Sequence, residues 1–199
     1  MSADKRSKME QIANALENLT DSPLFEFRQE QNYSFVLGEG DLDAKIMFIG
    51  EAPGAQEAKS GRPFVGTAGK VLDELLGTIG LDREEVFITN IVKDRPPENR
   101  DPRPDEIELY APFLLEQIEI IQPKVIATLG RFAMDFILER FSVPEQGEKI
   151  GALHGKVLKG ETPYGEVTIV PLYHPAAAFY NQGLEETLRS DFQVLKKFL

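Results

Sequence analysis

The chain has 199 residues, 33 acidic against 22 basic side chains for a formal net charge of −11, 42% hydrophobic residues and no cysteine. That length and apolar content predict one domain over residues 1–199 with a real core. The charge argues against broad, charge-driven nucleic-acid binding but not against a local site, and the missing thiols exclude disulfides, thiolate metal sites and cysteine-ligated iron–sulfur centres. No run of about 18 apolar residues is present, and no apolar stretch follows the charged start Asp4-Lys5-Arg6, so neither a membrane span nor a secretory signal is expected and the cytoplasm is the default location.

In chain order, Met9, Ile12, Ala13 and Leu16 fall at helical spacing and predict a short amphipathic lid helix over 7–19, ended by the breakers Thr20-Asp21-Ser22-Pro23. Residues 1–34 are expected to pack as an N-terminal helix and connecting segment on the rest. A strand is predicted over 44–49, a helix over 66–79 stopping at Gly80, and a second strand over 86–90. Four of the residues from Asp94 to Pro104 are proline, which forces an irregular loop, and loops of that length usually bind something or are held by something. Helical period returns over 105–121, with Asp105 and Glu106 suited to the positive end of the helix dipole. A third strand is predicted over 124–129, Gly130 opens a helix over 131–140, two strands over 153–158 and 167–172 are joined by a turn at 160–165, and a helix closes the chain over 185–199. Strands alternating with helices predict an α/β fold, a three-layer α/β/α sandwich around a mainly parallel sheet.

Two segments carry most of the chemistry: Gly50-Glu51-Ala52-Pro53-Gly54 after the strand-like 46–49, and His174-Pro175-Ala176-Ala177 after 170–173. Each sets polar or ionisable groups at the carboxyl end of a buried strand, where the loops of an open α/β sheet diverge and ligands bind, so the two loops are expected to share one pocket. Gly50 and Gly54 around Pro53 make a tight loop whose amides can face a ligand, with the carboxylates of Glu51 and Glu57 beside it; alone, such a turn is usually only a turn. Taken alone, His174 reads first as a satisfied buried histidine, and His154, without a companion motif, as structural or exposed. Asn90, ending Phe87-Ile88-Thr89-Asn90, either shapes a turn or offers the donor and acceptor that match one edge of a nucleobase. Phe64, in Gly61-Arg62-Pro63-Phe64-Val65-Gly66, is either core or a stacking platform.

Taken in order, and with Arg95-Pro96-Pro97 and Asn99-Arg100-Asp101-Pro102, these motifs resemble the family-four uracil-DNA glycosylases from about Phe35 to the C-terminus. The resemblance implies a four-stranded, mainly parallel sheet and hydrolysis of the N-glycosidic bond of uracil in DNA, leaving an abasic site for base excision repair. A monomer acting on uracil-containing DNA is expected, with no membrane partner. The resemblance also implies an iron–sulfur cluster on four cysteines, and aligning the motifs puts Leu19, Ser22, Asp94 and Tyr110 at their positions. None supplies a thiolate. The expectation is therefore no cofactor and no metal, with packing of Leu19 and Tyr110 and hydrogen bonds from Ser22 and Asp94 tying the N-terminal segment to the proline-rich loop and the helix after it.

Under the same resemblance, Gly50, Glu51, Ala52, Pro53, Phe64, Asn90 and His174 form the uracil pocket for a base flipped out of the stack. Phe64 stacks on it, Asn90 reads the N3 and O4 edge, and His174 donates to O2 as negative charge grows there. Glu51 and Glu57 stabilise the sugar cation and orient water, their roles undivided, so the catalytic set is Glu51, Glu57, Asn90 and His174. Arg62, Arg95 and Arg100 are expected to contact DNA. Ala177, Ala178, Phe179 and Tyr180 probe the gap left by the base, with Phe179 or Tyr180 as the wedge. Ala58-Lys59-Ser60-Gly61 holds no histidine, so turnover is expected rather than covalent trapping of the product. The alternatives are a glycosylase for another deaminated base such as hypoxanthine, or a non-catalytic DNA-binding or partner-docking relative, the last disfavoured by the presence of Glu51, Asn90 and His174 together.

Overall fold

Four apolar runs are buried on both faces, as strands of a parallel sheet covered by helices on each side must be: β2 (Ile46–Gly50), β3 (Phe87–Asn90), β4 (Val125–Leu129) and the inner part of β6 (Gly165–Leu172). They belong to a computed structural model that describes residues 2–181 and 183–199, the side chains of Ser2 and Tyr180 apart. Short strands β1 (Glu39–Gly40) and β5 (Leu158–Thr162) pair antiparallel at the edges, giving the order β1-β3-β2-β4-β6-β5 with the inner four parallel. The helices are α1 (Ser2–Glu17), α2 (Phe25–Glu30), α3 (Ala55–Ser60), α4 (Thr67–Ile79), α5 (Pro104–Ile121), α6 (Arg131–Arg140), α7 (Ile150–Leu153), α8 (Ala177–Tyr180) and α9 (Gly183–Gln193).

Alternation along each strand divides the core in two. Met47, Ile49, Phe87, Ile126 and Ile169 pack with Met9, Ile12 and Leu16 of α1 and with α5 and α6. Ile46, Phe48, Ile88, Val125, Ala127 and Val170 pack on the other face with α4 and α9, where the Phe48 and Phe192 rings stack 5.8 Å apart. The three-layer sandwich is as expected, with two edge strands beyond the four. Among the described residues no helix is long and apolar enough to cross a membrane.

Three expectations need correction. The helix expected as a lid runs over Ser2–Glu17 and is a layer of the sandwich, because Met9, Ile12 and Leu16 are buried in the core it shares with α5. Residues 153–158 are not a strand. Leu153 ends α7, Gly155 turns with φ +71 and donates its N–H to Pro171 O, and the strand begins only at Leu158, so the hairpin turn falls at Pro163-Tyr164 before Gly165 with φ +114. The last helix begins at Gly183 and gives way to a 3₁₀ segment over Val194–Phe198.

What the fold does for function follows from the strand order. β2 has β3 on one side and β4 on the other, so the chain reverses its direction of travel across the sheet there. Loops leaving the carboxyl ends of β2, β3, β4 and β6 part at that point and leave a crevice.

Candidate active site

A cleft of about 510 Å³ occupies that crevice. Of the residues expected at the site, Glu51, Ala52, Pro53, Glu57, Phe64, Asn90, Arg100 and His174 line it, joined by Gly54, Ala68, Pro96, Asn99, Asp101 and Ala176. The loops after β2 and β6 thus share one pocket, and no residue of α1 is on its wall. A larger groove, about 630 Å³, lies between α6 and residues 146–150, and none of the motif residues reaches it.

Gly50 sets the floor. It lies opposite Asn90 in the parallel register of β2 and β3, and a Cβ there would drive into the Asn90 carboxamide oxygen and the Phe64 ring. Only hydrogen at this position lets those two side chains meet over the strand end. Phe64 itself has φ +48, unusual for a side chain of that size. Its ring is buried and lies 5.6 Å from the His174 ring, tilted by 32°. Glu57 Oε1 accepts the N–H groups of Val65 (2.9 Å) and Gly66 (2.8 Å), which pins the loop just after the ring. A Cβ at Gly69 would run into the Phe64 carbonyl, so a bare α4 backbone lets the loop settle on it.

Asn90 is buried at the end of β3. Behind it Lys93, fully buried, donates to Asn90 O (2.8 Å), Thr89 Oγ1 (2.7 Å) and Gln117 Oε1 (2.6 Å), while Gln117 Nε2 donates to Leu37 O (2.8 Å). Burial pushes the Lys93 ammonium well below the usual lysine range. Three acceptors satisfy its donors and fix the backbone that aims the Asn90 carboxamide.

His174 Nδ1 accepts the Ala176 N–H at 3.2 Å. Burial lowers its pKa to about 4, against a partial opposing pull from Glu57, so at neutral pH the ring is uncharged. A neutral imidazole whose Nδ1 accepts carries its proton on Nε2. Gly130 clears room for it, since a Cβ at that φ +91 position would press on His174 Cβ at 3.2 Å.

Glu51 is half-buried, and its pKa is pushed up to about 7 by burial first and by the Asp101 charge second, with Arg131 opposing. Asp101 is fixed by Arg131 Nη2 at 2.9 Å. It enters the site on the proline-rich loop, which the neighbouring Arg100 ties to the start of α5 by a paired grip on buried Glu106 at 2.6 and 2.8 Å. Consecutive left-handed residues, Glu98 (φ +56) and Asn99 (φ +54), bend this loop back toward the cleft.

The described residues thus set an aromatic ring, an amide, an uncharged imidazole and a carboxylate with a raised pKa around one cavity. The Uracil DNA glycosylase superfamily matches residues 37–196. The chain belongs to the uracil-DNA glycosylase superfamily. It is 44% identical over 190 residues to the Type-4 uracil-DNA glycosylase of Sulfurisphaera tokodaii, covering 95% of this chain and 84% of the relative. It is 47% identical over 160 residues to that of Archaeoglobus fulgidus, covering 80% and 79%, and 39% identical over 196 residues to that of Thermotoga maritima, covering 96% and 94%.

In this member of the superfamily the segment expected to hold a cluster is built from a hydrogen-bond chain. Leu24 N–H donates to Ser22 Oγ (3.1 Å), the Ser22 and Tyr110 hydroxyls lie 2.7 Å apart, and Tyr110 donates to Asp94 Oδ2 at 2.5 Å. Arg28 Nη1 donates to both Asp94 oxygens at 3.2 and 3.3 Å and to Leu16 O at 3.1 Å, and its Nη2 to Glu17 O at 2.9 Å. Ser22, Arg28, Asp94 and Tyr110 are all buried, and Leu19 packs against the same core. These oxygen and nitrogen groups satisfy one another and offer no sulfur ligand, so they do not fit a thiolate-held cluster. The sequence anticipated Ser22, Asp94, Tyr110 and Leu19 but missed Arg28, whose charge faces Asp94. Burial raises the Asp94 pKa and the Tyr110 and Arg28 contacts lower it, with burial prevailing.

Of the expected DNA contacts described, Arg100 lines the cleft. Arg62 pairs with Glu39 at 2.7 Å and lies outside the cleft. Arg95 donates to Asn99 Oδ1 and to the Tyr33 hydroxyl, each at 2.7 Å, and stands over the Tyr33 ring. Ala176 is on the cleft wall and α8 follows at once, with Ala178 half-buried and Phe179 49% exposed, the largest share among the exposed large apolar side chains described. The side chain of Tyr180, the other wedge candidate, lies outside the described residues.

Proposed function

We propose that this chain removes uracil from DNA by hydrolysing its N-glycosidic bond and leaves an abasic site. The observation that carries the reading is the convergence of Phe64, Asn90 and His174 around the Gly50 floor of one cleft. A base held there has a ring face to stack on, a carboxamide for its N3 and O4 edge, and the Nε2–H of a neutral His174 for O2. As the bond breaks, negative charge gathers on the uracil ring and positive charge on the sugar, so a donor fixed at O2 counts for more in the transition state than before it.

The two carboxylates left undivided by sequence take different parts. Glu57 Oε1 is engaged by two backbone N–H groups, which makes it a positioning residue for the Phe64 loop. Glu51, without such a tie and with its raised pKa, is the carboxylate that faces the sugar cation and orients water. Arg95, Arg100 and Arg62 meet the phosphate backbone, and Phe179 enters the stack where the base has left. The Ser22–Tyr110–Asp94–Arg28 chain stands in for a metal cluster as scaffold, and no step of the chemistry passes through it.

Incubation with an oligonucleotide containing one uracil, then alkali, tests this. Cleavage at the uracil supports it; an intact strand, or cleavage only of a matched hypoxanthine oligonucleotide, overturns it. Protein purified free of iron and fully active supports the scaffold reading, and iron bound in stoichiometric amount overturns that part.

A further inference from the structure

Arg83, in the 3₁₀ turn Arg83–Glu85 after α4, is not on the cleft wall. All five of its N–H donors nevertheless have acceptors. Nε and Nη2 donate to Glu39 Oε1 at 3.1 and 2.7 Å, Nη1 to Phe64 O at 3.0 Å and Asp73 Oδ1 at 2.7 Å, and Nη2 also to Pro63 O at 2.6 Å. Two of these acceptors are the carbonyls on either side of the Phe64 α-carbon, the residue with φ +48. On the far side of the same loop, Glu57 takes the N–H groups of Val65 and Gly66. A left-handed backbone under a bulky side chain persists only where its surroundings over-determine it, and here carbonyls are gripped from one side and amides from the other.

We propose that Arg83 is a positioning residue for base recognition: its planar fork holds the Pro63 and Phe64 carbonyls so that the Phe64 ring stays beside His174 and above Gly50. This rests on the reading of Phe64 as the surface on which the base stacks. Glu39 and Asp73 serve to aim the guanidinium. Lysine would not substitute, because a single ammonium cannot address two carbonyls and two carboxylates in one plane.

The test is single-turnover uracil excision, with kcat and KM from steady-state runs, for Phe64→Ala, Arg83→Gln, Arg83→Lys and the Phe64→Ala/Arg83→Gln pair, each normalised to the folded fraction from thermal melts. Phe64→Ala should lose on the order of 10-fold to 100-fold in kcat/KM, the range expected for one stacked base. Arg83→Gln should show a similar loss, Arg83→Lys a smaller one, and the pair no further loss than Phe64→Ala alone, since both act through one ring. Losses that multiply in the pair, or Arg83 variants that melt early yet excise at the wild-type rate while Phe64→Ala is impaired, overturn this inference and leave the pocket reading standing. Wild-type excision by Phe64→Ala overturns the pocket reading and this inference with it. If Arg83→Gln does not fold, Arg83→Lys, which keeps the charge, decides by the same comparison.

Discussion

Replacing His174 by alanine should damage the chemical step far more than binding, and the structure says by how much. The ring has one proton to give, because Nδ1 accepts from Ala176 N and burial holds the pKa at about 4. Toward the neutral O2 of bound uracil, an uncharged donor is worth a net ~0.5 to 1.5 kcal/mol, so affinity for DNA carrying a non-cleavable uracil analogue should fall by no more than about tenfold. Toward the charge that develops on O2, the loss of one preorganised donor is worth ~3 to 4 kcal/mol, a factor of about 100 to 1,000 in rate. Single-turnover excision isolates that step from product release, and fluorescence anisotropy gives the binding term. A packed structural histidine would behave otherwise: the variant would melt at lower temperature while its folded fraction excised at the normal rate, and that result would refute the assignment. The pKa direction adds a second check. Because the folded-state value lies below the ordinary 6.5, the stability that depends on neutral His174 is complete above pH 6.5 and is lost as pH falls toward about 4. His174→Ala should flatten the melting temperature across that window, and a histidine-dependent inflection in excision rate near pH 6.5 would contradict a neutral ring.

Asn90→Asp replaces a donor by an acceptor at the N3 and O4 edge and should lower uracil excision by ~100-fold or more, with a cytosine oligonucleotide showing whether the preference moves to the base with the opposite pattern; undiminished uracil excision would remove Asn90 from the site. Glu51, whose pKa is raised to about 7, should impose a rise in single-turnover rate as pH increases through that value and the carboxylate forms, and Glu51→Gln should give a slow enzyme without that rise; the same inflection in the variant would assign it to another group. Arg28→Met strands the Asp94 carboxyl in the core and should destabilise by ~3 to 5 kcal/mol in urea unfolding, whereas Arg28→Met with Asp94→Leu should recover most of that; a single substitution costing less than ~1 kcal/mol would mean the pair does not hold the segment.

Legibility in the sequence tracked how local each signal was. The inner strands are readable because burial on both faces makes them continuous apolar runs such as Ile46-Met47-Phe48-Ile49, and their carboxyl ends carry the Gly50 and His174 motifs directly. β1 is two residues long and has no period to read. Residues 153–158 hold apolar side chains at both ends and read as a strand, and the left-handed Gly155 breaks that run. Glu51 and Glu57 looked alike because the amides that engage Glu57 belong to a loop eight and nine residues further on. Arg28 and Asp94 are 66 residues apart, and Arg83 and Glu39 are 44 apart. No spacing rule links such pairs; only the closed fold does. Asp101 lies inside the Asn99-Arg100-Asp101-Pro102 motif and on the cleft wall, and the signal for it in the sequence is the loop itself, since one of that length with four prolines usually faces a ligand.

The substituted scaffold and the active site are joined by that loop. Asp94 and Tyr110 flank it, one just before Arg95-Pro96-Pro97 and the other in the second turn of α5, and they are bonded to each other at 2.5 Å. The stretch between, a loop that runs into the first turns of α5, supplies Pro96, Asn99, Arg100 and Asp101 to the cleft wall. Arg28 then ties the base of the loop to the end of α1 through Leu16 O and Glu17 O. A closure of this kind matters because the Asp101 charge, with burial, keeps the Glu51 pKa near 7. If the loop swung outward, Glu51 would gain water and lose that neighbour, and both changes act to lower its pKa. Ser22, Arg28, Asp94 and Tyr110 line no part of the cleft, yet the protonation state of Glu51 depends on how firmly the loop is closed. Burial of the ion pair together with both hydroxyls gives a closure that lets go only as a unit, since removing any one member strands the others without partners in a low-dielectric interior.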